Sequence, residues 1–74
     1  MTLNELPLNT PAEVIHIAEE SQVRRRVLDL GITLGLHILA QFRSPANEPT
    51  AYLIRGTTIA LRDELASQIE VAIL

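Results

Sequence analysis

The side chains able to do chemistry are few and scattered. His16 and His37 are the only histidines, they fall in separate segments, and there is no cysteine. A metal site gathers three or four ligands, so two isolated imidazoles with no defined carboxylate partner are a weak case for one. Ser21, Ser44 and Ser67 lack the strand-to-helix turn context that exposes a nucleophilic serine. Asp63 and Glu64 are adjacent, and they suit the start of a helical turn better than an acid–base pair. The stretch GITLG, residues 31–35, lacks the GK[ST] ending of a phosphate loop and follows a helix instead of preceding one. No catalytic residue, cofactor site or metal ligand set emerges, and the chain reads as a non-enzyme.

One chemical feature remains. Arg24, Arg25 and Arg26 are consecutive and make up half of the 6 basic residues, none of which is lysine. Against 9 carboxylates and a net charge of −3, they are too few to neutralise a phosphate backbone. Tyr52 and Phe42 are the only aromatics, too few for a base-stacking platform or a groove for proline-rich peptides. Nucleic acid is therefore excluded as a partner. On a helix, successive residues are about 100° apart, so the three arginines fan over one face. Either that face is simply solvated, or it docks onto an acidic partner. Arg25 and Arg26 could each pair with Asp29 for a few tenths of a kcal/mol.

The elements that would position these residues are short. The segment AEVIHIA, residues 12–18, is a strand of β-branched residues, with Ile15 and Ile17 on one face and Val14 and His16 on the other. Ser21 is placed as a helix N-cap after Glu19 and Glu20. Val23, Val27 and Leu30 then form a helical stripe over residues 22–30, widened by Leu28. Gly31 follows as a left-handed C-cap, which would let Ile32 pack back on Val27. The segment LHILAQFR, residues 36–43, is a second strand, with Leu36, Ile38, Ala40 and Phe42 on one side. SPANEP is a loop, because proline has no N–H to donate to a ladder. Residues 50–55 and 57–61 are strands divided by Gly56, residues 62–67 are a helical turn, and 68–73 are a last strand that aligns Ile69, Val71 and Ile73. The expected fold is mainly β: five short antiparallel strands with one helix and a helical turn, curled into a small, partly open barrel that hides its edges. With 74 residues this is one domain, residues 1–74. The amino terminus has no basic or apolar leader region, and the apolar stretch from Leu28 to Ala40 is too short to span a bilayer and is broken by Asp29 and His37. A cytoplasmic chain with no direct membrane insertion is expected.

The order of these segments resembles a family. RVLDLGITLG resembles the FeoA-type signature ending in L-G-[LI]-x-x-G. SPANEP resembles that family's proline-bracketed loop. YLIRG, then IALR, then Ala66, Ile69 and Val71 are similar to its carboxy-terminal half. Three positions depart from the pattern: Leu34 stands where proline is common, Asn47–Glu48 replace a frequent Gly–Asp, and Leu65 replaces a frequent glutamate. Leu65 is then either a buried anchor or an added contact. The resemblance implies an SH3-like β-barrel with one short helix. It also implies a cytoplasmic accessory protein that docks onto the membrane iron permease with a GTPase domain (ferrous iron transport protein B), with homo-oligomers left open. Because the chain starts at Met1 without DNA-binding helices, the free-standing form is expected. The alternative is a metal-responsive regulatory module related to the carboxy-terminal domain of metal-dependent repressors. Candidate partner-binding residues are Arg24, Arg25 and Arg26, with Leu39 and Leu53, which strand alternation leaves on faces where polar residues would be expected.

Overall fold

The computed structural model describes residues 1–74 and places the chain in the order β1 (Pro11–Ile17), α1 (Ser21–Asp29), β2 (His37–Arg43), β3 (Thr50–Ile54), β4 (Thr57–Leu61), α2 (Asp63–Ala66) and β5 (Ile69–Ile73), after a 3-10 turn at Leu3–Glu5. All five strands form one antiparallel sheet in the order β4-β3-β2-β1-β5. It is the curled, mainly β arrangement of an SH3-like barrel.

Two bulges curl the sheet, and each overturns an expected face. Between Val14 and His16 the register of β1 against β5 shifts by one residue. An extra residue in one strand bends it and reverses its alternation beyond that point. Ala12, Val14 and Ile17 are therefore buried, while Ile15 is 49% exposed instead of sharing a face with Ile17. The second bulge lies between Ala40 and Phe42, against β3. Ile38 and Ala40 face the core, but Phe42 is turned out to 58% exposure. Arg43 turns to the barrel end instead, where its guanidinium donates to the Leu6 carbonyl at 3.3 Å.

The core also receives a segment to which the sequence assigns no role. Leu3, which opens the 3-10 turn, and Leu6, which caps it, are fully buried in the main hydrophobic cluster with Tyr52, Ile32, Ile38 and Ile69. The turn is held by the Thr2 N–H and hydroxyl, which donate to the Glu5 carboxylate at 2.8 and 3.0 Å. The Thr2 N–H first, then its hydroxyl, hold the Glu5 carboxyl below the usual carboxylate range. Thr2 also bridges Glu70, covering the outer edge of β5.

Helix α1 ends where expected and begins one residue earlier. Leu30 is its C-cap. The Gly31 N–H donates to the Leu28 carbonyl at 2.9 Å, and the Ile32 N–H to Val27 at 3.2 Å. This pair of bonds defines a Schellman motif, and Ile32 and Val27 are both buried beside it. The N-cap is Glu20, not Ser21: its carboxylate accepts from the Gln22 and Val23 N–H groups at 2.9 and 3.1 Å. A longer side chain thus reaches the free donators of the first turn, and its charge complements the helix dipole. Glu20→Ala should cost about 0.5–1 kcal/mol, whereas Ser21→Ala should stay within about 0.5 kcal/mol of wild type. Urea unfolding of the two variants distinguishes these assignments. Leu28, expected to widen the apolar stripe, is 46% exposed. Ile73 runs past the core at the end of β5 and is half exposed, unlike Ile69 and Val71.

The SPANEP segment is a loop, closed by the Ser44 N–H bonding to the Pro49 carbonyl at 3.2 Å. Asn47 adopts a left-handed φ of 65°, which asparagine tolerates better than most residues. The Glu48–Pro49 peptide is cis. The Glu48 carboxylate accepts the Asp63 N–H at 2.8 Å, docking the loop onto the start of α2. Leu65 is buried in the core at 6% exposure, an anchor for α2.

Candidate partner-docking surfaces

The five residues nominated from the sequence fall on two separate surfaces. Leu39 on β2 stands directly opposite Leu53 on β3 and opposite Pro11 on β1. Cross-strand partners share a face, so these three side chains make one row on the outer side of the sheet. The Leu74 N–H bonds to the Pro11 carbonyl at 3.1 Å, which brings the exposed Leu74 to the end of that row. On β4 the row ends at Thr58, opposite Leu53, and the Thr58 hydroxyl donates to Gln41 at 2.7 Å. A shallow groove of ≈ 390 Å³ runs along Pro11, Leu39 and Leu53 and is flanked by His37 and Arg55. Its centre is apolar and its rim is polar, the arrangement typical of protein interfaces.

The arginines lie elsewhere. The Arg24 guanidinium donates to the Ile17 carbonyl at 2.7 Å, tying α1 to the end of β1. It is partly buried and acts as a structural clamp. Arg26 approaches Glu64 of α2 at 3.9 Å with both side chains mostly exposed, so the pair adds at most about 1 kcal/mol. The expected pairs with Asp29 do not form, because Arg26 finds an acid across the gap to α2. Arg25 is exposed beside Glu19, Leu28 and Asp29 in a groove of ≈ 440 Å³ that shares no residue with the leucine row. The arginine face is therefore mixed in charge, and Arg55, not the triple arginine, supplies the cation beside Leu39 and Leu53.

A third groove, of ≈ 500 Å³, separates α1 from α2 and the end of β4. Leu30, Leu61 and Leu65 form its floor, with Arg26, Asp29, Arg62 and Glu64 around it. Sequence reasoning did not find it. The one available signal was Leu65, a leucine where a charged residue is common.

No three His, Cys, Asp or Glu side chains come together as a metal site. His16 and His37 are both exposed, on β1 and β2. No helix is long and apolar enough to cross a membrane.

A curled antiparallel sheet, strapped by one helix and plugged by an amino-terminal turn, defines a small SH3-like module that offers surfaces. The chain belongs to the FeoA domain family, whose description matches residues 1–73. That family is associated with ferrous iron transport. The structure superposes with a TM-score of 0.94 on the FeoA-like protein of Clostridium acetobutylicum, 36% identical, covering 100% of this chain and 86% of that one. It superposes at 0.83 on Stenotrophomonas maltophilia FeoA complexed with zinc, described as a prokaryotic SH3 domain protein, at 32% identity over 97% of this chain and 89% of that one. Among curated proteins it is 30% identical over all of its 74 residues to the Fe(2+) transport protein A/Fe(2+) transporter FeoB fusion protein of Porphyromonas gingivalis. The chain spans 9% of the length of that relative. A manganese-dependent transcriptional repressor, at 21% identity and a TM-score of 0.88 over 100% of this chain and 41% of that one, shares the fold alone.

Proposed function

We propose that this chain is a non-catalytic accessory of ferrous iron uptake that docks, in the cytoplasm, onto the membrane iron permease with a GTPase domain. The observation that carries the reading is the fusion relative, in which a segment similar to the whole of this chain shares one polypeptide with an Fe(2+) transporter, FeoB. Covalent linkage raises the effective concentration of a docking partner to about millimolar, so even a weak contact is made often. The reading as a metal-responsive module rests on likeness of fold alone.

The docking face in this reading is the Pro11–Leu39–Leu53 row with Arg55 at its rim. Arg25 and Arg26 add a cationic approach to an acidic partner, acting more on the association rate than on the bound state. Arg24 is held by Ile17 and contributes to folding instead. The test is binding of the folded chain to the permease's cytoplasmic GTPase domain. Leu39→Asp should weaken binding at least about tenfold, with circular dichroism confirming the fold. Arg25→Glu with Arg26→Glu should lower the association rate and flatten its salt dependence. Absence of binding by the folded wild-type chain at high micromolar concentration would reject the proposal.

A further inference from the structure

Three residues other than glycine take positive φ: Asn9 at 61°, Asn47 at 65° and Arg55 at 52°. Asparagine enters this region readily, because its short polar side chain can bond to the nearby backbone, whereas arginine has no such relief. Arg55 and Gly56, at φ 52° and 79°, are the two central residues of the hairpin between β3 and β4, and Ile54 stands opposite Thr57 as the closing pair. A two-residue hairpin with positive φ at both central positions strongly favours Asn-Gly. The two other left-handed sites outside glycine both hold asparagine, so folding alone does not account for arginine at this one. A residue held at a costly dihedral angle points to a use elsewhere.

The side chain shows where. Arg55 is exposed, and its Nη2 donates to the Thr33 hydroxyl at 3.3 Å. Thr33 is itself fixed: Ile32 before it is fully buried, and its carbonyl accepts the Leu36 N–H at 3.2 Å. The GITLG turn thus steadies the guanidinium beside the groove of Pro11, Leu39 and Leu53. Elsewhere, Arg24 and Arg43 donate to main-chain carbonyls, and Arg26 and Arg62 face Glu64 and Glu48. Arg25 shares its groove with Glu19 and Asp29. Arg55 has no carboxylate within ion-pair distance, and its one contact, to a neutral hydroxyl, leaves most of its N–H donors free. In a chain of net charge −3, a guanidinium kept clear of its own carboxylates is set to receive one from outside.

We propose that Arg55 determines the specificity of the docking face: it selects a partner that presents a carboxylate directly beside the apolar group covering Leu39 and Leu53. The inference rests on the reading of that row as the face that meets the GTPase domain, and it adds the chemistry the partner must carry there. A guanidinium gives a carboxylate two parallel N–H bonds, which fixes orientation as well as charge. Covering Leu39 and Leu53 also excludes water from the pair and strengthens it. The backbone strain at Arg55 is then stability exchanged for recognition, as is common where a site serves function before folding.

Stability and binding are read separately on the same full-length variants. Arg55→Asn should raise the melting temperature by about 4 °C, because asparagine relieves the dihedral angle. The same variant should bind the permease's cytoplasmic GTPase domain about tenfold more weakly and lose part of the salt dependence that wild type shows. Arg55→Lys keeps the charge and the strain but cannot form the paired bonds. It should melt like wild type, keep the salt dependence and bind with an affinity between the other two. A purely structural Arg55, bracing the hairpin against Thr33, predicts the opposite sign: a lower melting temperature for Arg55→Asn would overturn the proposal. So would wild-type affinity in Arg55→Asn while Leu39→Asp still weakens binding, a result that keeps the docking face and removes Arg55 from it. Absence of binding by the folded wild-type chain removes both.

Discussion

Tyr52→Ala should remove about 3–5 kcal/mol of this chain's stability. Tyr52 is fully buried in the middle of β3, between Ala40 on β2 and Ile59 on β4. Its hydroxyl donates at 3.4 Å to the carbonyl of Leu3, joining the sheet to the amino-terminal turn. Removing a large aromatic side chain from a core costs about 3–5 kcal/mol. A chain of this length holds roughly 4–11 kcal/mol in total at typical stability per residue, so the loss takes a large share of it. Urea unfolding followed by circular dichroism measures the change, and a loss under about 1.5 kcal/mol would show that the ring is not the anchor described. Tyr52→Phe keeps the ring and gives up one long hydrogen bond, so it should cost about 1 kcal/mol. The hydroxyl also makes an alkaline signature. Burial is the main cause that pushes the Tyr52 pKa above its ordinary 10.0. The folded state thus favours the neutral phenol, and this stability is complete below pH 10.0 and is lost as pH rises through the folded value. The chain has no lysine or cysteine and only one tyrosine, so no other neutral side chain ionises in that range. Wild type should lose stability faster than Tyr52→Phe as alkali is added, with tyrosine absorbance following the transition.

Gly31→Val should destabilise the chain by about 1–3 kcal/mol, the cost of holding a β-branched residue at positive φ. Gly31 has φ 88°. A Cβ built there meets nothing within 4 Å, so the Cβ itself causes no collision and the cost is that of the dihedral angle. The strain acts on the Schellman bonds that close α1 and seat Ile32 against Val27. Gly31→Asn should cost least of the series, because asparagine enters the left-handed region more readily, and Gly31→Ala should fall between Asn and Val. Thermal melts of the three variants give the order. Equal stability across the series would mean that the turn relaxes to another cap.

Much of this architecture was legible in the chain. Gly31 announces a helix end because few other residues take its dihedral angles cheaply. The paired prolines announce a loop because they lack donors. The β-branched segments announce strands, and the spacing of Val23, Val27 and Leu30 announces a helix that turns one side inward. The family resemblance was also visible. The candidate surface was legible only in part. Leu39 and Leu53 stood out as apolar residues on unexpected faces, but nothing in the sequence linked them to Pro11 or Leu74.

What the sequence alone determined is therefore local: the strand and helix segments, the glycine cap that ends α1 and the turns. What only the tertiary structure decided is where side chains point after the chain departs from regular geometry. A bulge is one extra residue with no side-chain signature, yet the first turns Ile17 inward on the face of Val14 while Ile15 stays outside, and the second moves Phe42 to the surface. The burial of Leu3 and Leu6 against Tyr52 and the assembly of the leucine row join segments distant in sequence. Those contacts depend on how the sheet curls and which strands become neighbours, and residue type and spacing carry no record of that choice.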